Sequence, residues 1–191
     1  IVMALAVLPM LSIGGMQLFK TESYETPDKV VPKAASFAAG ISIVYITLTV
    51  IWALMLWGAG MPMFDSIAHA MTTLATGGYS TKSESLAAFN SSTIEIIIIF
   101  GMLVGSLPFV HYLTLSKNGL RNLIKDDQVK LFLTFVFFVV LIMSLYLSSN
   151  NIPYLEALRL ASFNVISIIT GTGFGTSDFS NWGGFPTTIL L

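Results

Sequence analysis

The sequence contains no cysteine and very little charge. Without thiols there are no disulfides, no thiolate metal sites and no cysteine nucleophile. Charged residues make up 10% of the chain, where a soluble domain carries roughly a quarter. A water-exposed surface of this size needs more polar side chains than that, so water is not the solvent for most of it. The net charge of −1 offers no basic field, and no Lys/Arg-rich run with interleaved aromatics occurs, which sets nucleic-acid partners aside. Catalytic motifs are also missing. No Gly-x-x-x-x-Gly-Lys is present, Gly171-Thr-Gly-Phe-Gly-Thr lacks the third glycine position of a dinucleotide loop, and no Ser/His/Asp set has a supporting motif. His69 and His111 have no metal-ligand spacing to Asp or Glu and read as packing or interface residues. The expectation is a protein with no catalytic residues, no resident metal and no cofactor.

Apolar sequence fills the space that charge leaves: 54% of residues are hydrophobic and the mean hydropathy is +0.81. Uncharged stretches run over residues 1–19, 34–64, 96–116 and 131–155, each long enough for the ~20 residues that cross a bilayer. Spanning helices are expected over 41–57, 94–115 and 131–147, with partial ones at the two ends. Ile1 opens inside an apolar run with no basic segment before it, and the chain stops as another such run begins. Both ends therefore read as cut, and the working protein is expected to be longer.

Two further stretches, 66–81 and 160–177, are short and rich in Ser, Thr and Gly. Each follows a proline (Pro62, Pro153) with a helical pattern and ends in a glycine cluster that terminates a helix. They are expected to be re-entrant half-helices, 62–74 and 153–168, each followed by an extended segment, 75–81 and 169–176. Seven of the nine basic residues lie in the loops 14–33 and 117–130, which places those loops in the cytoplasm and brings both half-helices in from the outside.

The order of helix, half-helix, glycine segment and helix thus occurs twice. The fold class expected is an all-α membrane protein of repeated helix–pore-loop–helix units. Its divisions are 1–35 (the end of a preceding unit, with 1–13 as its last helix, plus a cytoplasmic loop), 36–116 (a complete unit), 117–130 (a cytoplasmic loop) and 131–191 (a second unit, truncated in a last helix starting near Gly184).

Aligning the two glycine segments pairs Thr76-Gly77-Gly78-Tyr79-Ser80-Thr81 with Gly171-Thr172-Gly173-Phe174-Gly175-Thr176, so that Gly-aromatic-small-Thr recurs at one offset. A dehydrated alkali cation must exchange its water for several oxygens, and backbone carbonyls supply them without a net charge that would trap it. Successive carbonyls face one axis only if the chain leaves β geometry, and Gly78 and Gly173 allow the positive φ this requires. The candidate filter is Thr76, Gly77, Gly78 and Tyr79 with Thr170, Gly171, Thr172, Gly173 and Phe174. The aromatics are expected to wedge each segment against its neighbours, and the half-helix C-termini to lend partial negative charge near the membrane centre.

The stretches Gly14-Gly-Met-Gln-Leu-Phe19, Thr76-Gly-Gly-Tyr-Ser-Thr81 and Ile168-Ile-Thr-Gly-Thr-Gly-Phe174 resemble the TrkH/KtrB family of potassium transporter subunits, and the resemblance covers essentially the whole chain. It implies four helix–pore-loop–helix units around one pore, each with one key glycine, matched here by Gly78 and Gly173. By order the chain would hold the end of unit one, all of unit two and most of unit three. The implied function is the pore-forming subunit of a bacterial potassium uptake system in the inner membrane, with K+ as cargo. The resemblance also implies a homodimer and a cytosolic nucleotide-binding regulatory subunit. The family's filter segments depart from the strict Thr-Val-Gly-Tyr-Gly of potassium channels, and this chain has Gly77 before Gly78 and Gly175 after Phe174. The second reading is a sodium-coupled secondary transporter whose broken helices bind substrate at the midplane. Inverted units would favour it, and parallel units favour the filter.

Four smaller expectations complete the reading. Glu95 follows Ser92 at capping-box spacing. Gly101 and Gly105 form a GxxxG suited to close packing, within the subunit rather than at a dimer interface. Arg159 is expected to pair with Glu156 at i and i+3. Asp178 lies at the outer mouth as either a source of negative potential or a solvated loop carboxylate.

Overall fold

The computed structural model describes residues 27–109, 111–113, 125–177, 182–183 and 186, with side chains from residue 38 onward. The expected helix 1–13, the loop up to residue 26, most of the loop 117–130, Asp178 and the helix starting near Gly184 lie outside these residues. Among the described residues every element is helical: α1 (Pro27–Gly58), α2 (Met63–Leu74), a 3-10 turn (Ser85–Phe89), α3 (Ser92–Ser106), α4 (Asp127–Ser149) and α5 (Tyr154–Ile169).

Two helices are long and apolar enough to cross a membrane, the Ala38–Gly58 part of α1 and the whole of α4. Each exposes an apolar stripe at helical spacing, Ile43, Ile46, Val50, Leu54 and Trp57 on α1 and Leu131, Phe135, Phe138, Ile142 and Leu145 on α4. Such stripes suit contact with lipid. α1 starts at Pro27, inside the region expected to be a loop up to Lys33, because proline is tolerated in a first helical turn and a helix that satisfies its own backbone need not stop at the hydrocarbon boundary.

α2 and α5 have 12 and 16 residues. At 1.5 Å per residue they are roughly 18 and 24 Å long, too short to cross. α2 packs on α1, α5 packs on α4, and α3 touches both half-helices and so joins the two units. The core between them holds Leu56, Met61, Leu74, Ile98, Met102 and Phe163.

α3 corrects the expected span 94–115. It is a 15-residue helix that ends at Ser106, and Leu107 is extended (φ −76°, ψ 149°). Pro108 is the cause, since its ring disfavours a helical conformation in the residue before it and it has no N–H to give the Val104 carbonyl. That carbonyl instead accepts the Tyr112 hydroxyl at 2.7 Å. The cap at the start of α3 also differs from expectation. Ser91, extended at φ −132°, is the N-cap and accepts from the Ile94 amide. Ser92 is already helical, and Glu95 is released for another partner.

The glycines of α3 serve packing within the chain. A Cβ on Gly101 would collide with the Trp52 indole nitrogen and would lie 2.7 Å from Thr73 Cγ2. One on Gly105 would lie 2.8 Å from the Leu74 carbonyl oxygen. The absence of both side chains lets α1 and α2 seat against α3, with the Trp52 Nε1–H donating to the Ile97 carbonyl at 3.0 Å. Gly101→Ala in the full-length protein is expected to lower the thermal midpoint in detergent by the equivalent of about 1–3 kcal/mol of overpacking. Gly58→Ala, whose Cβ meets nothing within 4 Å, should leave the midpoint unchanged.

Candidate ion-filter site

Each half-helix ends in the same kind of cap. In α2 the amide of Thr76 donates to the Thr73 carbonyl at 3.1 Å and the amide of Gly77 to the Thr72 carbonyl at 2.8 Å, with Thr76 in the left-handed region at φ 49°. In α5 the amide of Gly171 donates to Ile168 at 3.0 Å and that of Gly173 to Ser167 at 3.2 Å, with Gly171 at φ 72°. This Schellman-type geometry satisfies the last helical carbonyls and turns the chain out of the helix. Glycine holds the left-handed position in one unit. In the other, a β-branched threonine holds it against steric preference, a strain found at functional sites.

Two residues on, φ is positive again, 64° at Gly78 and 82° at Gly173. Positive φ at alternate residues abolishes the up-down alternation of peptides in a strand, so successive carbonyls need not point to opposite sides.

The carbonyl that follows is fixed from behind. Thr72 Oγ1 donates to the Tyr79 carbonyl at 2.9 Å, and Ser167 Oγ donates to the Phe174 carbonyl at 2.7 Å. Both hydroxyls stand seven residues ahead of the carbonyl they hold. Among the described residues, no hydrogen bond is donated to the carbonyls of Thr76, Gly77 and Gly78 or of Gly171, Thr172 and Gly173. Backbone acceptors are rarely left this way inside a membrane protein unless water or an ion takes them.

The two segments meet. A Cβ on Gly78 would overlap the Thr172 carbonyl oxygen and lie 3.2 Å from the Gly173 carbonyl carbon. Phe174 is buried and stacks on the His69 ring of the other unit, with centroids 5.8 Å apart, and the Gly175 amide donates to Ser85 Oγ at 3.3 Å. Phe174 thus wedges between units. Tyr79, its counterpart, is exposed among the described residues. Thr170 and Thr172 share a hydroxyl hydrogen bond of 2.8 Å at the start of the second segment.

The polar faces of the half-helices point at the same segments. Asp65, buried in α2, accepts from Thr81 Oγ1 at 2.6 Å and pairs with Lys82 at 3.4 Å. Arg159 of α5 turns away from Glu156, the partner expected one step along its own helix. It pairs with Glu95 of α3 at 3.4 Å and donates to Ser92 Oγ at 2.6 Å. Glu156 is exposed while the Glu95 side chain is 9% accessible, and a charge pair is stronger where water screens it less. Asp65, Thr72, Ser80, Asn164 and Ser167 were not singled out by the sequence reading. Their signal was there as a polar face on each short helix and a hydroxyl seven residues before each filter aromatic.

The family model described as TrkH, cation transport protein, matches residues 1–191. The chain is 37% identical over 196 residues to the Trk system potassium uptake protein TrkH of Salmonella typhimurium, covering 100% of this chain and 41% of that one. It is 36% identical over 185 residues to the Trk system potassium uptake protein TrkI of Halomonas elongata, covering 96% and 37%. The crystal structure of the potassium transporter TrkH from Vibrio parahaemolyticus superposes with a TM-score of 0.80 at 30% identity, over 99% of this chain and 38% of that one. The chain thus spans about two fifths of the length of the curated relatives it matches. Twice-repeated half-helices with matching caps, and a family match along the whole chain, lead to one assignment: this is a membrane protein that belongs to the TrkH family of cation transport proteins.

Proposed function

We propose that this chain supplies two of the filter segments of a bacterial potassium uptake protein of the plasma (inner) membrane, conducting K+ inward along backbone carbonyls. The observation that carries this is the pair of adjoining segments whose carbonyls at Thr76–Gly78 and Gly171–Gly173 receive no hydrogen bond among the described residues. A cation that sheds its water needs such oxygens, close together and uncharged. Thr170 stands at the threshold of the second segment. The Tyr79 and Phe174 carbonyls are already engaged by Thr72 and Ser167 and so anchor the ends of the segments, and of the two side chains Phe174 is the one that wedges between units. The names of the relatives, all potassium uptake proteins, support K+ as the cargo. The Lys/Arg distribution, which brings both half-helices in from the same side, favours parallel repetition around a pore over a carrier built from inverted halves.

No cofactor is needed for passage along carbonyls. A homodimer and a cytosolic nucleotide-binding regulatory subunit complete the proposed assembly. The full-length protein, expressed in bacteria deprived of their own potassium uptake systems, should restore growth at low external K+ and rubidium uptake. Good membrane expression without either would overturn the proposal.

A further inference from the structure

His69 is fully buried, and both of its ring nitrogens are engaged. Nδ1 lies 2.7 Å from the Asp65 carbonyl, which can only accept, so Nδ1 carries the proton. In the neutral ring Nε2 is then an acceptor, and it takes the Ser80 hydroxyl at 2.9 Å. Ser80 Oγ in turn accepts the Lys82 amide at 3.1 Å. Each group donates to the next in one consistent direction, from the Lys82 amide just past the filter segment, through Ser80 and His69, to the Asp65 carbonyl on α2.

The faces of the ring are used as well. Phe174, from the second filter segment, stacks on it with planes 30° apart, and Phe89 meets it edge-on at 5.3 Å. One side chain thus touches the exit of its own segment and the aromatic of the next.

The second unit repeats the arrangement. Asn164 stands 95 positions after His69, the same offset that relates Gly173 to Gly78. Its Nδ2 donates to the Leu160 carbonyl four residues back at 2.9 Å, and lies 3.4 Å from Thr176 Oγ1 and 3.3 Å from Ser177 Oγ, just beyond Phe174. Two different residue types at one position of the repeat are each tied to their own helix and lie beside hydroxyls at the end of their own segment, so the link recurs where the ring does not.

We infer that His69 is a positioning residue of the ion pathway, holding the end of the first filter segment through Ser80 and the second through Phe174, with Asn164 as its counterpart. It acts in this way only if the two segments carry the ion, as proposed above, and Gly78→Ser serves as the control for that premise.

The test uses the full-length protein in cells lacking other potassium uptake, comparing variants at equal membrane level. His69→Leu keeps much of the volume and loses both hydrogen bonds. It is expected to raise the half-saturating K+ concentration about fivefold, the scale of one net hydrogen bond, and to let Na+ compete more strongly. His69→Gln, whose amide oxygen reaches toward the place of Nε2, should recover most of the discrimination. Where His69→Leu lowers the amount of protein, Ser80→Ala decides, since it removes only the hydroxyl and should move half-saturation and Na+ competition in the same direction. Unchanged half-saturation and discrimination in Ser80→Ala would overturn the inference, as would a His69→Gln variant as impaired as His69→Leu. If Gly78→Ser itself leaves discrimination intact, it is the filter reading that fails. If Gly78→Ser disturbs it and the His69 and Ser80 variants do not, only the role of His69 fails.

Discussion

Gly78→Ser in the full-length protein is expected to remove most selective potassium uptake while leaving the protein in the membrane, whereas Ser83→Ala changes nothing. Two costs act together at Gly78. A side chain at φ 64° occupies the left-handed region, which costs an L residue about 1–2 kcal/mol. The new Cβ would also overlap the Thr172 carbonyl oxygen, a backbone atom of the neighbouring segment that cannot swing aside as a flexible side chain does. The two segments must separate, and the oxygens on both lose their spacing. Gly173 shares the first cost, at φ 82°, but among the described residues its Cβ would meet nothing within 4 Å. Gly173→Ser should therefore be the milder variant, raising half-saturation by at most roughly five- to thirtyfold on the strain alone. Rubidium influx with and without competing Na+, normalised to protein level, reads both. Equal and unimpaired discrimination in the two variants would make these glycines structural and defeat the filter assignment.

Arg159→Leu is expected to be the most destabilising single change at a charged position. Its guanidinium compensates Glu95, whose Oε2 has no other hydrogen-bond partner and whose side chain is almost fully enclosed. Removing one member of a buried pair leaves an uncompensated charge, a loss of about 3 kcal/mol, here toward the lower end because Arg159 retains partial contact with solvent. The loss loosens the seam between α3 and α5, one of the contacts that join the two units. Folded yield and thermal midpoint in detergent should fall in Arg159→Leu and recover in Arg159→Leu/Glu95→Gln, where no charge is left unpaired. A single variant as stable as the parent would show that the pair contributes nothing to the seam.

Much of this was legible in local sequence. Prolines 62 and 153 ahead of short amphipathic runs, and glycine clusters behind them, mark where a helix starts and must stop, since proline and glycine act on the backbone of their own residues and nearest neighbours. Long uncharged runs mark the spans of α1 and α4 for the same local reason, the cost of leaving polar groups in hydrocarbon. Pro108 also carried a local signal, and the span expected to run to residue 115 ignored it in favour of hydropathy.

Pairing between elements was a different matter. The i, i+3 spacing of Glu156 and Arg159 suggested a pair, but the partner is Glu95, 64 positions away on another helix. The GxxxG of α3 showed that something approaches closely without showing that it is Trp52 and the end of α2. His69 looked like a packing histidine until Ser80 and Phe174 were seen on either side of it.

The sequence by itself determined where the chain bends out of helix, that Gly78 and Gly173 take positive φ, and that the motif occurs twice, because these depend on steric preferences within a few residues. The two segments were expected to be close in space, and the tertiary structure alone decided how they meet, that Gly78 faces the Thr172 carbonyl, and which buried charges pair. Those contacts join residues far apart in the chain. Their energies depend on exclusion from water and on atomic distance, and neither is fixed until the half-helices have packed on α3.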